Sequence, residues 1–246
     1  MRNSSTVHLS VIIPAFNEEL RLPGTLDDVL RYLGAQRYRS EVIVVDDGSS
    51  DGTASVAGRF CTGPVPVWLC AHPDRANHGK GAAVRLGMTK ARGAFRLFMD
   101  ADNSTTLDQV AGFWPSFEEG FDVVIGSRRA PGARIVVHQA LHKEIAGRFG
   151  NWIIRLLAVP GVSDTQAGFK ILTRECVERV FPRLTVDRWG FDIEILAVAR
   201  FLGFRIRELP ITWINAPASK VGAGSYLEVM AEVWRVRRNL KSGLYR

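Results

Sequence analysis

No apolar run in this sequence approaches the ~18 residues that span a bilayer. The longest candidate, Trp152 to Val162, is broken by Arg155 and Pro160. A bilayer-spanning helix is not expected, so a chain of this kind that works at a membrane lies on its surface. The first ten residues are polar, without the apolar centre of a secretory leader. Cysteine is scarce. Cys61, Cys70 and Cys176 have no metal-ligand spacing and form no even framework, which excludes a disulfide scaffold and fits a reducing, cytoplasmic setting. There is no internal repeat, low-complexity tract or linker, so one compact domain over residues 1–246 is expected. A Walker loop, a Gly-x-Gly-x-x-Gly fingerprint, an RNA-binding aromatic signature and a helix-turn-helix pattern are all missing.

What is present is a large apolar content, 46%, with a net charge of +7 and a pI near 9.7. The charge suggests a polyanionic partner: nucleic acid, a phosphorylated substrate or an anionic membrane surface. The first half alternates strand and helix patterns. Leu9–Ile13, Glu41–Val45, Val65–Cys70, Phe95–Met99 and Asp122–Gly126 read as strands. Pro23–Leu33, a segment capped by Asp51 and running to Phe60, Gly79–Ala91 and Asp108–Glu119 read as helices. Five such repeats predict a mainly parallel sheet with helices on both faces. The second half predicts an amphipathic helix over Gln139–Val159, a short strand at Ile171–Leu172, helices over Arg174–Phe181 and Asp192–Leu202, a strand over Arg205–Trp213 and a basic helix over Tyr226–Leu240.

Polar residues gather where those strands end, which is where open α/β sheets bind ligands. Asn17 and Glu18, Asp46 and Asp47, Asp100 and Asp102, and Ser127 and Arg128 follow four different strands. Asp100-Ala101-Asp102 is the sharpest of these signals. Two carboxylates at i and i+2 repel each other unless a cation lies between them, and Mg²⁺ or Mn²⁺ is the usual remedy beside a diphosphate. Gly79-Lys80-Gly81 opens a helix and can meet a nucleotide or phosphate, or serve only as a glycine-rich entry. From Ser127 to Arg155 there are six basic side chains and one acid, Glu144. His138 and His142 lack a third metal ligand and read as helix surface.

Three motifs in order, Val11-Ile12-Ile13-Pro14-Ala15-Phe16-Asn17-Glu18, Val44-Val45-Asp46-Asp47-Gly48-Ser49-Ser50-Asp51-Gly52-Thr53 and Asp100-Ala101-Asp102, resemble those of the family 2 glycosyltransferases. The resemblance continues in Asn77–Ala82, Asp164–Lys170 and Trp189–Glu194, in the manner of dolichyl- or polyprenyl-phosphate hexosyltransferases of the glucosyl type. It implies a GT-A fold with a Rossmann-like nucleotide-sugar and metal half at about 8–130 and an acceptor half at about 131–246, the whole the size of one domain. It implies an inverting enzyme that moves a hexose from a UDP-sugar to a polyprenyl phosphate, for cell-envelope or glycan assembly.

The resemblance also distributes roles. Pro14, Ala15 and Glu18 frame the nucleotide pocket, Asp47 meets the base with Asp46 beside it, and Lys80, Asp100 and Ala101 complete the donor side. Asp100 and Asp102 hold Mg²⁺ or Mn²⁺. Arg128, Arg129, Arg134 and Lys170 meet the acceptor phosphate, whose oxygens suit arginine forks. Gln166, Trp189, Asp192 and Glu194 meet the sugar. Asp102, Asp164 and Asp192 are the catalytic candidates. A phosphate monoester with a second pKa near ~6 attacks without losing a proton, which leaves Asp192 to orient hydroxyls. Were the acceptor a carbohydrate hydroxyl, as in a soluble family 2 transferase, Asp192 or Asp164 would be the base. Attachment to the membrane is expected either directly, through basic amphipathic helices, or through an integral membrane partner. A nucleic-acid-binding protein is the rival of another class, and converging acids weigh against it.

Overall fold

The computed structural model describes residues 6–136, 159–214 and 224–246, with side chains from 228 onward in the last segment. The expected helix over Gln139–Val159 and the pair His138–His142 lie, save Val159, outside the described residues.

The central sheet has seven strands in the order β3-β2-β1-β4-β7-β5-β8. They are β1 (Leu9–Ala15), β2 (Ser40–Asp46), β3 (Val67–Ala71), β4 (Phe95–Met99), β5 (Val123–Ser127), β7 (Phe169–Thr173) and β8 (Ile206–Pro210). A two-stranded parallel ribbon pairs β6 (Arg134–Ile135) with β9 (Thr212–Trp213). The helices are α1 (Leu22–Gly34), α2 (Thr53–Arg59), α3 (Lys80–Lys90), α4 (Trp114–Glu118), α5 (Arg174–Val180), α6 (Phe191–Phe201) and α7 (Gly224–Ser242).

The unbroken apolar strands are explained by a sheet covered on both faces. Side chains alternate with period two. Ile12, Ile43, Val45 and Phe98 face one core, with residues of α3, α5, α6 and α7. Val11, Ile13, Val42, Val44 and Leu97 face the other, with residues of α1 and α2. The chain order reverses between β1 and β4, which opens a crevice at their carboxyl ends.

Four expectations need correction. The strand at Ile171–Leu172 is longer than predicted, and it enters the middle of the sheet antiparallel to both neighbours, β4 and β5. The predicted strand at Arg205–Trp213 is two strands in two sheets, because Pro210 has no N–H to continue a ladder. The third strand starts at Val67 rather than Val65; Pro64 and Pro66 cannot donate. The helix expected over Asp108–Glu119 is a 3-10 segment, Leu107–Phe113, followed by the short α4 with Pro115 in its first turn.

Candidate active site

The loops after β1 and β2 are laced together by backbone and side-chain hydrogen bonds. Asn17 turns through the left-handed region (φ 55°), which its short amide tolerates. Its N–H donates to Ser49 Oγ at 3.0 Å, and its Oδ1 accepts from Ser50 N at 2.8 Å. Glu18 N donates to Thr53 Oγ1 at 2.7 Å, while its carboxylate receives a fork from Arg21 at 2.6 Å. Pro14 and Ala15 are buried in β1. Phe16 just beyond them is 39% exposed, an aromatic residue to which the motif reading gave no role.

Asp46 and Asp47 occupy different environments. Asp47 is buried, and both carboxylate oxygens accept backbone N–H groups, from His78 and Gly79, each at 2.9 Å. Its carbonyl accepts from Asn77 Nδ2 at 3.1 Å. Gly48 has φ 76°, and a Cβ there would meet Ala76 C and Asn77 N at 2.6 Å, so the Asp-Asp-Gly turn and the 72–79 loop are in van der Waals contact. Asp47, expected at the base, gives one acceptor site on each carboxylate oxygen to this loop. Asp46 is half-buried and, among the described residues, carries one bond, from Ser49 N at 3.1 Å.

Lys80 opens α3 and reaches across to β4, where Nζ donates to Asp100 Oδ1 at 2.5 Å. Burial alone would lower its pKa, but Asp100, Asp192 and Asp102 outweigh it and hold the ammonium above the ordinary lysine range. Three carboxylates of the crevice thus share one cation. Asp100 is half-exposed, Ala101 is buried with its carbonyl accepting from Thr25 Oγ1 at 2.7 Å, and Asp102 accepts from Ser104 N at 3.0 Å. Asn103 closes the turn at φ 54°. Gly168, just before β7, backs directly onto this pair. A Cβ built there would lie 2.0 Å from Asp100 Oδ2.

Among the described residues, no three His, Cys, Asp or Glu side chains converge as a ready metal cage. Two half-exposed carboxylates on one turn are instead the donor set of a hard cation that completes its shell with water and substrate phosphate. Asp100 and Asp102 fit such an ion.

The opposite side of the crevice is cationic. Arg128 follows β5, and its Nε and Nη2 donate to Asp164 Oδ2 and Oδ1, each at 2.8 Å, with Arg128 N on Oδ2 at 3.0 Å. The guanidinium also lies 5.4 Å from the centroid of the Trp213 ring. Burial works against this pair, yet the mutual attraction prevails. Arg128 is held above the usual arginine range and Asp164 below the usual carboxylate range. The Asp164 backbone is itself fixed by Glu208 on β8, whose carboxylate accepts from Asp164 N at 2.8 Å and Ser163 N at 2.6 Å. Glu208 was missed from the sequence because nothing local marks it. Arg129 and Arg134 are exposed, Gln166 is exposed and Trp189 is half-buried against the core.

Two expected contacts take other tasks. Lys170 is fully buried, its ammonium bound to Asp192 Oδ1 and Ala167 O and 5.3 Å from the Phe98 ring centroid. It is a partner of Asp192 rather than a surface phosphate ligand. Burial lowers Lys170 and raises Asp192 from their ordinary ranges. Glu194, expected at the sugar, is fully buried and accepts from Thr185 N, Val186 N and Tyr245 Oη. Two residues past Asp192 in α6, it ties the helix to Tyr245.

Residues 10–181 match the family model described as glycosyl transferase family 2. The chain is 33% identical over 259 residues to dolichyl-phosphate beta-glucosyltransferase of Homo sapiens, covering 99% of this chain and 79% of that protein. It is 36% identical over 236 residues to the Drosophila melanogaster protein of the same name, covering 90% and 71%. Among solved structures, glucosyl-3-phosphoglycerate synthase from Mycobacterium tuberculosis with Mn²⁺, UDP and phosphoglyceric acid has a TM-score of 0.68 at 18% identity, covering 94% of this chain and 78% of that one. That likeness establishes the GT-A fold. The match over most of the chain, together with the crevice at the β1–β4 reversal, places the protein in glycosyl transferase family 2.

Proposed function

We propose that this enzyme moves a glucosyl group from UDP-glucose to a dolichyl-type polyprenyl phosphate, with inversion, on the cytoplasmic face of a membrane. Relatives alike along nearly the whole chain bear that acceptor in their name. The observation that carries the reading is the division of the crevice. Carboxylates and Lys80 line the donor side, and Arg128 faces them with Nε and Nη2 engaged by Asp164 and, among the described residues, no partner for Nη1. A guanidinium edge left open suits a phosphate oxygen.

In the proposed reaction, an oxygen of the lipid phosphate attacks the sugar C1. The bond from C1 to the donor diphosphate breaks, and its electron pair leaves with UDP. Mg²⁺ or Mn²⁺ held by Asp100 and Asp102 would supply Lewis-acid stabilisation of that leaving diphosphate. Lys80 adds a fixed positive charge at the same edge. Asp46 and the Phe16 ring frame the nucleotide. Arg128 orients the acceptor, with Arg129 and Arg134 as outer charges. Asp192, fixed by Lys170, orients sugar hydroxyls together with Gln166 and Trp189.

A nucleophile already ionised at pH 7 requires no base, and Asp164 has both oxygens engaged by Arg128. A hydroxyl acceptor would instead call on Asp192, whose carboxyl burial pushes up from its usual range. The test is a donor and acceptor screen with Mg²⁺, Mn²⁺ or chelator, read by mass spectrometry. Glucosyl phosphopolyprenol formed from UDP-glucose is the expected product. Transfer to a free sugar with none to the lipid phosphate would establish the hydroxyl reading instead.

A further inference from the structure

We infer that the outward face of α7 is the surface on which this protein docks to an anionic lipid leaflet. The inference deepens the lipid-acceptor reading and rests on it for its purpose.

The helix is fixed in rotation by its inner face. Val229, Val233 and Val236 are buried, and α7 packs against α6. Beyond its end, Tyr245 is fully buried. Its hydroxyl donates to Glu194 Oε1 at 2.6 Å, and its carbonyl accepts from Arg183 Nε at 3.0 Å. The opposite face is thereby held outward. On it Trp234 is 62% exposed, and Leu244, just past the end of the helix, is 59% exposed. A shallow cavity of about 390 Å³ runs along this face, lined by Ala231, Trp234, Arg235, Arg237, Arg238 and Lys241.

Two features choose the occupant. After Glu232 the chain holds five basic residues, Arg235, Arg237, Arg238, Lys241 and Arg246, and no acid. Charge of one sign fits an anionic surface. A polyanion alone would leave Trp234 and Leu244 in water, whereas a leaflet takes an aromatic ring at headgroup depth and phosphates around it.

The position also fits. On the inner side of the same helix, Glu232 Oε2 accepts from Gly190 N at 2.7 Å, and Gly190 immediately precedes α6, whose first turn carries Asp192. One helix diameter, ~10 Å, separates the proposed leaflet from that turn. A phosphate anchored by its polyprenyl tail is then presented close to the crevice.

The experiment is sedimentation of the full chain with phosphatidylcholine vesicles, with and without phosphatidylserine. Binding is expected only with phosphatidylserine and weakens with salt. Each basic residue near an anionic leaflet contributes about fivefold, so Arg238→Glu/Lys241→Glu should lower vesicle affinity at least ~20-fold. Trp234→Ala should lower it severalfold, with less dependence on salt. None of these residues touches the crevice, so UDP affinity by calorimetry should be unchanged, which also reports intact folding. Vesicle binding that survives both variants would overturn the assignment and point to another surface or to a membrane-protein partner. Competition by single-stranded DNA, with Trp234→Ala indistinguishable from wild type, would overturn it in favour of a general polyanion surface. Since binding is read without turnover, a failure of lipid glucosylation would count against the proposed reaction and leave the docking result standing.

Discussion

Lys170 on β7 and Asp192 on α6 form an ion pair closed to solvent, with side chains 0% and 6% exposed. Two charges are held in the core beside the crevice because each satisfies the other, with Ala167 O taking a further lysine proton. Removing one partner leaves a buried charge uncompensated. Lys170→Met should cost about 3–5 kcal/mol of stability. The double change Lys170→Met/Asp192→Leu should restore much of that stability while turnover stays lost. Denaturant unfolding beside a product assay checks both. Recovery of activity in the double variant would deny Asp192 any role at the sugar.

Asp46 and Asp47 should separate cleanly. Asp47→Asn replaces an acceptor of two backbone N–H groups and should lower stability by about 1–3 kcal/mol. Asp46→Ala should leave stability within about 0.5 kcal/mol and weaken UDP binding roughly tenfold. Calorimetry giving the reverse pattern would return the nucleotide contact to Asp47.

Asp102→Ala should lower Mn²⁺-supported turnover by at least ~100-fold, the scale of a lost metal contact at a developing diphosphate charge. Its one bond to Ser104 N makes the accompanying loss of stability small. Full wild-type activity in excess chelator would remove the ion from the mechanism.

Gly168→Ala tests the donor side without touching an acid. The added methyl would overlap Asp100 Oδ2 at 2.0 Å, so the Asp100 carboxylate must shift. Turnover should fall in parallel with Asp100→Ala while the far-ultraviolet circular dichroism is retained. Wild-type activity of Gly168→Ala would show that Asp100 need not hold its position.

The Arg128–Asp164 pair carries a pH dependence of defined sign. Asp164 has a folded pKa below its unfolded value. Its contribution is therefore fully present above the ordinary aspartate pKa of about 3.9 and is lost as pH falls through the lower folded value. Asp164→Asn should be less stable than wild type by about 2 kcal/mol at pH 6. That gap should close as acid protonates the wild-type carboxylate. A gap independent of pH would mean that packing, not charge, explains the loss.

The strand runs Leu9–Ile13, Glu41–Val45 and Phe95–Met99 were legible because a sheet buried on both faces leaves continuous apolar stretches. The polar residues at their ends were legible for the same reason, since a sharp change from apolar to acidic marks where a strand leaves the core. The start of α2 near Asp51 was legible as well, but its N-cap is Gly52 without a side-chain capping bond, and Asp51 Oδ1 accepts from Thr53 N at 3.0 Å instead. These are local signals, written within a few residues.

Which acids face the crevice was not local. Asp47 is spoken for by His78 and Gly79, and Glu194 by Tyr245, at separations of 31, 32 and 51 residues. Lys170 reads as a free cation until β7 enters the sheet antiparallel between β4 and β5 and buries it. The order of residues thus determined most of the elements, the family and most of the candidate side chains. The tertiary structure alone decided which carboxylates hold loops distant in the chain. A hydrogen bond is short and directional, and its partner is known only when distant segments have packed.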